Sequence, residues 1–271
     1  MIDEVLYFLK PWNGIRESVY IYGISNFQGK GLRQCEGETL MKSAYADGYA
    51  FEVDRLCYNF ALDQVMKFSN EINAKINVLE IGGGHGCFYD SVSNKIDKYF
   101  NIEPSELVCD YEFLKRLSDK RYFHIKASAE EMPVHDNTLD LVVSLASLDH
   151  IPNVEVALFE IARVLKPGGK FIFTLNNKRS WWKILLKNSE LLRQRETLIL
   201  RDHYILWGPH EAETAIGKFL VKSSLRTTCF FPQVPIIWKF LLPPLEKIGY
   251  LTKSLTGSNL LGVYQKSWST G

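Results

Sequence analysis

The sequence has no excess of charge of one sign: 32 Lys and Arg stand against 31 Asp and Glu, a net +1. No stretch gathers Lys and Arg on one face. A protein that holds nucleic acid through its phosphates needs such a basic footprint, so no nucleic-acid partner is expected. Cysteine is scarce and unpatterned. Cys35, Cys57, Cys87, Cys109 and Cys229 are odd in number, and no two form C-x-x-C. That argues against a disulfide framework and a zinc ribbon, and leaves small buried apolar residues or free thiols. The six histidines show no H-x-x-x-H or H-E-x-x-H spacing, so no metal is expected. Unbroken apolar runs are missing too. The most apolar stretch, 230–245, contains Pro232, Pro235, Pro243, Pro244 and Lys239, which argues against a membrane span. The opening MIDEVLYFLKPWNG has acids where a signal peptide has a basic region. A soluble, reduced, cytoplasmic protein is the expectation.

What is present is an ordinary globular composition, 46% hydrophobic and 23% charged over 271 residues. That length gives one large domain or two small ones, with a core that needs no staple. There is no internal repeat or Gly/Ser linker. Residues 1–50 are irregular and aromatic. From Val53 a helical period places Leu56, Cys57, Phe60, Ala61, Val65 and Phe68 on one face. Strands are then expected at Asn77–Ile81, Tyr99–Ile102, Tyr122–Ile125, Leu139–Ser144 and Lys170–Leu175. Helices are expected between them, near Gly86–Lys95, Ser105–Leu117 and Val154–Leu165. Such alternation predicts a doubly wound, mostly parallel sheet with helices on both faces. Later come helices in 180–201 and 210–217, and two strands at 220–231 and 259–266, read as an antiparallel hairpin.

Ligands of such sheets bind beyond the carboxyl ends of the strands, near the switch in strand order. Gly82–Gly86, Glu103, Ser128–Glu130 and Leu145–His150 all follow strands and so converge on one crevice. In the first, Glu80-Ile-Gly-Gly-Gly-His-Gly86, glycines allow a sharp turn and close approach of a ligand. The spacing is G-x-G-x-G. A dinucleotide fingerprint needs a third glycine at 87, where Cys87 stands. Glu103 lies 21 residues beyond Gly82, at a strand end, and can accept from vicinal ribose hydroxyls. That acid serves nicotinamide and S-adenosylmethionine sheets alike.

Further motifs follow in order: Ala129-Glu-Glu-Met-Pro133, Asp136-Asn-Thr-Leu-Asp140, Leu148-Asp-His150-Ile-Pro152, and Glu160-Ile-Ala-Arg163-Val-Leu-Lys-Pro-Gly-Gly169. With the glycine turn they closely resemble class I S-adenosylmethionine-dependent methyltransferases, nearest the small-molecule group, over about Val53 to Leu175. The resemblance implies a Rossmann-like seven-stranded sheet spanning 51–271. An N-terminal cap (1–50) and specificity insertions near 177–207 and 231–257 would sit over it. It implies S-adenosylmethionine as cofactor and S-adenosylhomocysteine as product. Gly82, Gly83 and Gly84 would line the methionine end, with Glu80 near its amino group. Glu103 would hold the ribose hydroxyls, and Pro104 would lie against the adenine. Ser128, Ala129 and Glu130 would border the adenine edge, with Ser128 where the family usually has Asp. Leu145 and Ala146 would sit beneath the sulfur. Tyr45 and Tyr49 would close over the carboxylate, or simply pack a lid. Asp140, Glu160, Arg163 and the Lys166–Gly169 turn would be structural.

Methyl transfer from a sulfonium mainly needs alignment and exclusion of water, with a base only where the acceptor must lose a proton. His150 is the candidate base or substrate contact. Asp149 is its possible partner, and His203 and His210 are weaker candidates. Trp181, Tyr204, Trp207 and Trp238 are candidate walls for a small apolar or ring-bearing acceptor, methylated on O, N or C. A monomer or homodimer is expected. The rival readings are a nicotinamide-dependent oxidoreductase, disfavoured by Cys87, and a non-catalytic scaffold on the cofactor fold.

Overall fold

The computed structural model describes residues 15–16, 19–21, 49–104, 111–181, 184, 203–230, 247 and 256–268, the side chains of 15–21, 49–55 and 111–114 excepted. Two short strands, β1 (Ile15–Arg16) and β2 (Val19–Ile21), precede helix α1 (Tyr49–Ile72). Then follow β3 (Ile76–Ile81), α2 (Cys87–Val92), β4 (Ile96–Ile102), α3 (Tyr111–Ser118), β5 (Tyr122–Lys126) and β6 (Leu139–Leu145). The remaining elements are α4 (Val154–Val164), β7 (Leu165–Asn176), α5 (Pro209–Ile216), β8 (Val221–Thr228) and β9 (Asn259–Gln265).

The nine strands among the described residues form one sheet in the order β1-β2-β5-β4-β3-β6-β7-β9-β8. The pairs from β2 to β7 are parallel, and β9 runs antiparallel to both β7 and β8. The expected seven-stranded sheet is therefore present, with β1 and β2 added at its β5 edge. Val19-Tyr20-Ile21 suits a strand, being β-branched and aromatic, and it covers an edge that would otherwise stay unpaired. The last two strands pair antiparallel as read, with a long connection between them. Residues 229–258 make that connection, and β9 lies between β7 and β8.

Buried parallel strands read as apolar runs because both faces are covered. The side-chain alternation sorts them. Leu79, Ile81, Phe100, Ile102, Phe123, Ile125 and Val142 face one way, toward Ala157, Leu158, Ile161 and Val164 of α4 and Ala212 and Ile216 of α5. Val78, Tyr99, Tyr122, Leu141 and Val143 face the other way, toward Phe60, Ala61, Val65 and Phe68 of α1 and Phe88 and Val92 of α2. The strand order reverses between β4 and β6 on either side of β3, so the crevice of a doubly wound sheet opens there. No helix among the described residues is long and apolar enough to cross a membrane.

Candidate functional site

The site begins where β3 ends. Gly82, Gly84 and Gly86 all have positive φ, so the chain turns within five residues from strand to α2. Gly82 N–H donates to the Ile102 carbonyl at 2.8 Å, and Gly86 N–H to that of Gly83 at 2.8 Å. Three glycines are required by contact: a Cβ on Gly82 would lie 2.5 Å from the Ser147 Cβ. A Cβ on Gly83 would lie 2.2 Å from Glu80 Oε2 and 2.5 Å from Asn101 Oδ1. One on Gly86 would lie 2.1 Å from the Tyr122 hydroxyl oxygen. A Cβ on Gly84 would meet nothing within 4 Å, so the turn presents open space on that side.

The alternation that sorts the core also builds the floor under this turn. Glu80, Tyr99, Asn101, Tyr122 and His124 share one parity across β3, β4 and β5. All are buried. Tyr99 donates its hydroxyl proton to Glu80 Oε2 at 2.6 Å. Asn101 Nδ2 donates to the Gly84 carbonyl at 2.7 Å and toward the Tyr122 hydroxyl at 3.0 Å. Burial pushes the Glu80 carboxyl up to about 7, against the opposing pull of the Tyr99 hydrogen bond, and the Glu103 charge adds to the rise. Burial holds His124 down at about 4. A raised acid at the base of a glycine turn gains most from a cationic ligand group.

Glu103 stands just past β4, and its Oε2 accepts from Gly84 N–H at 3.1 Å. Its own N–H donates to the Ile125 carbonyl, fixing it against β5. Beyond β5, Ser128 donates to Glu130 Oε2 at 2.9 Å, and Glu130 Oε1 accepts from Asn153 N–H at 2.7 Å. Beyond β6, Ala146 has φ 49, held by its N–H to the Thr174 hydroxyl at 3.0 Å. Ser147 donates to the Ile81 carbonyl at 2.6 Å and packs under Gly82, so β6 braces the glycine turn.

Residues 79–173 match a family described as a methyltransferase domain. Over those residues the chain matches a class I S-adenosylmethionine-dependent methyltransferase domain. It is 30% identical over 163 residues to the ubiquinone/menaquinone biosynthesis C-methyltransferase of Rickettsia bellii, covering 55% of this chain and 65% of that protein. It is 33% identical over 105 residues to a sterol 4-C-methyltransferase of Caenorhabditis elegans, covering 38% of this chain and 31% of that one. The chain thus spans between about a third and about two thirds of these relatives. The fold resembles the Haemonchus contortus phosphoethanolamine N-methyltransferase 2 solved with S-adenosyl-L-methionine. The TM-score is 0.54 at 17% identity, over 76% of this chain and 52% of that one.

Within this methyltransferase domain, the strand ends bring Glu80, Gly82, Gly83, Gly84, Glu103, Pro104, Ser128, Ala129, Glu130, Leu145 and Ala146 to the carboxyl edge of adjacent strands. His150 closes a short 3-10 turn, Leu148–His150, beyond β6. Its ring meets that of His203 edge-on, 4.5 Å between centroids. Trp181 and Tyr204 are partly exposed, and the Trp181 indole donates to the Phe230 carbonyl at 2.5 Å. Trp207 packs against the core, its backbone paired with Asn177. Tyr45 and Trp238 lie outside the described residues, and so does the side chain of Tyr49 at the start of α1.

Sequence reasoning missed Asn101, Tyr99, Ser147 and Arg116. Asn101 carried a signal, a lone amide inside the apolar run Tyr99-Phe-Asn-Ile102. Arg116 is buried, forks onto Asp90 of α2 and also reaches the His85 carbonyl at 3.3 Å. Asp140, Glu160 and Arg163 hold structure. Asp140 accepts from Asn77 N–H and pairs with Lys166, while Arg163 binds Glu160, Asp136 and the carbonyls of Val134 and Met132.

Proposed function

We propose that the protein transfers a methyl group from S-adenosylmethionine to a small apolar or aromatic acceptor. The observation that carries this reading is the pairing of a buried, proton-hungry Glu80 beneath the glycine turn with Glu103 one strand away. The cofactor offers an ammonium to the first and a pair of ribose hydroxyls to the second. The open space at Gly84 leaves room for the methionine end. Bound there, the cofactor supplies an electrophilic methyl on a positive sulfur.

The chain's own residues then have simple work. Gly82 to Gly84 keep side chains away from the ligand, Pro104, Ala129 and Glu130 border the adenine, and Ser128 adds a weaker polar contact than the family's Asp. Leu145 and Ala146 lie under the reacting sulfur. His150 stands on the acceptor side, with Trp181 and Tyr204 near the mouth. The two similar enzymes named above act, by their names, on sterol and quinone-pathway carbon, and the aromatic residues of 177–207 and 230–257 favour an acceptor of the same apolar character. The even charge and the odd, unpatterned set of five cysteines favour a reducing, cytoplasmic setting and a small-molecule partner.

Calorimetric titration with S-adenosylmethionine, S-adenosylhomocysteine and NADH in parallel tests the reading. Micromolar binding of both sulfur compounds and none of NADH is expected. Binding of NADH alone would overturn it.

A further inference from the structure

Among the described residues, Asp149, His150 and His203 bring one carboxylate and two imidazoles together, with candidate ligand atoms all within 4.8 Å of one another. The Asp149 side chain is 3% exposed and that of His203 is 4% exposed. Asp149 Oδ2 takes only a long hydrogen bond from Asn176 Nδ2, at 3.3 Å, and lies 3.6 Å from His203 Nδ1. Asp149 Oδ1 is buried and accepts no hydrogen bond from the described residues. A buried carboxylate oxygen left in this state is costly, and a donor or a cation beside it removes the cost. The backbone fixes the group: Tyr204 N–H donates to the Asp149 carbonyl at 2.8 Å, so the segment bearing His203 is tied to the turn bearing His150.

We propose that Asp149, His150 and His203 bind a divalent transition-metal ion, open to an oxygen atom of the acceptor. One carboxylate with two imidazoles suits zinc, iron, cobalt or manganese, whereas magnesium and calcium prefer oxygen donors throughout. Such ions hold these ligands at about 2.0–2.2 Å, which puts neighbouring ligand atoms roughly 3 to 3.5 Å apart. The observed spacing, within 4.8 Å, is wider than that, so binding requires the side chains to turn inward. Three protein ligands leave a position free, as in catalytic rather than structural sites. The site sits just past the carboxyl end of β6 and beside Asn176 at the end of β7, which under the methyltransferase reading is the acceptor side. The acceptor role rests on the methyltransferase reading. Metal binding itself does not. In that role the ion draws electron density from an acceptor hydroxyl, whose proton leaves to solvent. The oxygen then takes the methyl as the carbon–sulfur bond breaks and its electron pair stays on sulfur. The ion would thus favour an acceptor with an ionisable hydroxyl.

The test uses the whole protein, stripped with a chelator and titrated with cobalt(II) while its visible ligand-field bands are recorded. One equivalent should bind, zinc should displace it, and magnesium at the same concentration should not. Asp149→Asn and His203→Ala should each weaken cobalt binding by more than the 10–100-fold typical of a lost second-shell partner. Binding of S-adenosylhomocysteine to each variant checks that the fold is intact. Cobalt binding unchanged in Asp149→Asn, or no cobalt binding by a protein that still binds S-adenosylhomocysteine, would overturn the metal site and leave the methyltransferase reading standing. Failure to bind S-adenosylhomocysteine with cobalt binding intact would do the reverse.

Discussion

Glu80 is a buried acid with a folded-state value of about 7 against an ordinary 4.5, so the folded protein holds its proton more tightly than the unfolded chain. Its contribution to stability is present in full below about pH 4.5 and is lost as pH rises through 7. His124 does the opposite. Its value near 4 means that its contribution is present above about 6.5 and is lost as pH falls through 4. The two slopes overlap and partly cancel. Glu80→Gln should unmask them: at pH 8 the variant should be more stable than the parent by up to about 3 kcal/mol, and near pH 4.5 the two should match. Urea unfolding at both pH values decides this, and equal gaps at the two would refute a buried, protonated Glu80. Glu103→Ala addresses the neighbouring acid. It should cost about 1.5–3 kcal/mol of cofactor binding by calorimetry, because charge-assisted hydrogen bonds are lost. Unchanged affinity would sink the ribose assignment.

At the scale of elements, the loop between β5 and β6 buries Ala127, Ala129, Met132 and Val134 in the core, and Arg163 of α4 ties its polar groups down. Arg163 is mostly buried and donates to Glu160 at 2.7 Å, to Asp136 at 2.5 Å and to the Val134 carbonyl at 2.7 Å. Glu160 Oε2 in turn accepts from Met132 N–H at 3.0 Å. Removing Arg163 would leave Glu160 and the Val134 carbonyl short of a partner, whereas Asp136 faces solvent. Arg163→Ala should therefore lower stability by about 3–5 kcal/mol in chemical denaturation. Because this loop carries Ala129 and Glu130, cofactor affinity should fall as well. A loss below about 1 kcal/mol would mean that the loop is held by something else.

For the whole molecule, the crevice joins groups from β3, β4, β5 and β6, so a ligand there ties the two halves of the sheet together. A ligand that binds only the folded state adds about 2.7 kcal/mol at a hundred times its dissociation constant. For a chain of this size that is a rise in Tm of about 5–10 °C. Saturating S-adenosylhomocysteine should produce it in a thermal scan, and NADH at the same concentration should not. A rise with NADH alone would favour the oxidoreductase reading.

The parallel core was legible because doubly buried strands read as apolar runs, and because glycine and acid at fixed positions after them have few other uses. Gly82 to Gly84, Glu80 and Glu103 stood out on those grounds. Boundaries were less legible: β4 begins at Ile96, three residues before the expected start, since Ile96-Asp-Lys98 carries no apolar run. The absence of metal-ligand spacing was a statement about neighbours in the chain. Asp149 and His203 are 54 positions apart, and backbone ties between Tyr204 and Asp149 and between Trp207 and Lys178 bring them together. Likewise, Asn101 reads as an odd residue in a strand until the alternation of three adjacent strands sets it under Gly84. Local pattern determined which segments are strands, which turn is glycine-built and which acids follow the strands, because those depend on residues a few positions apart. Strand order, the insertion of β9, the polar floor beneath the turn and the Asp149–His150–His203 cluster were decided by tertiary structure alone, because each joins groups that only packing brings within reach.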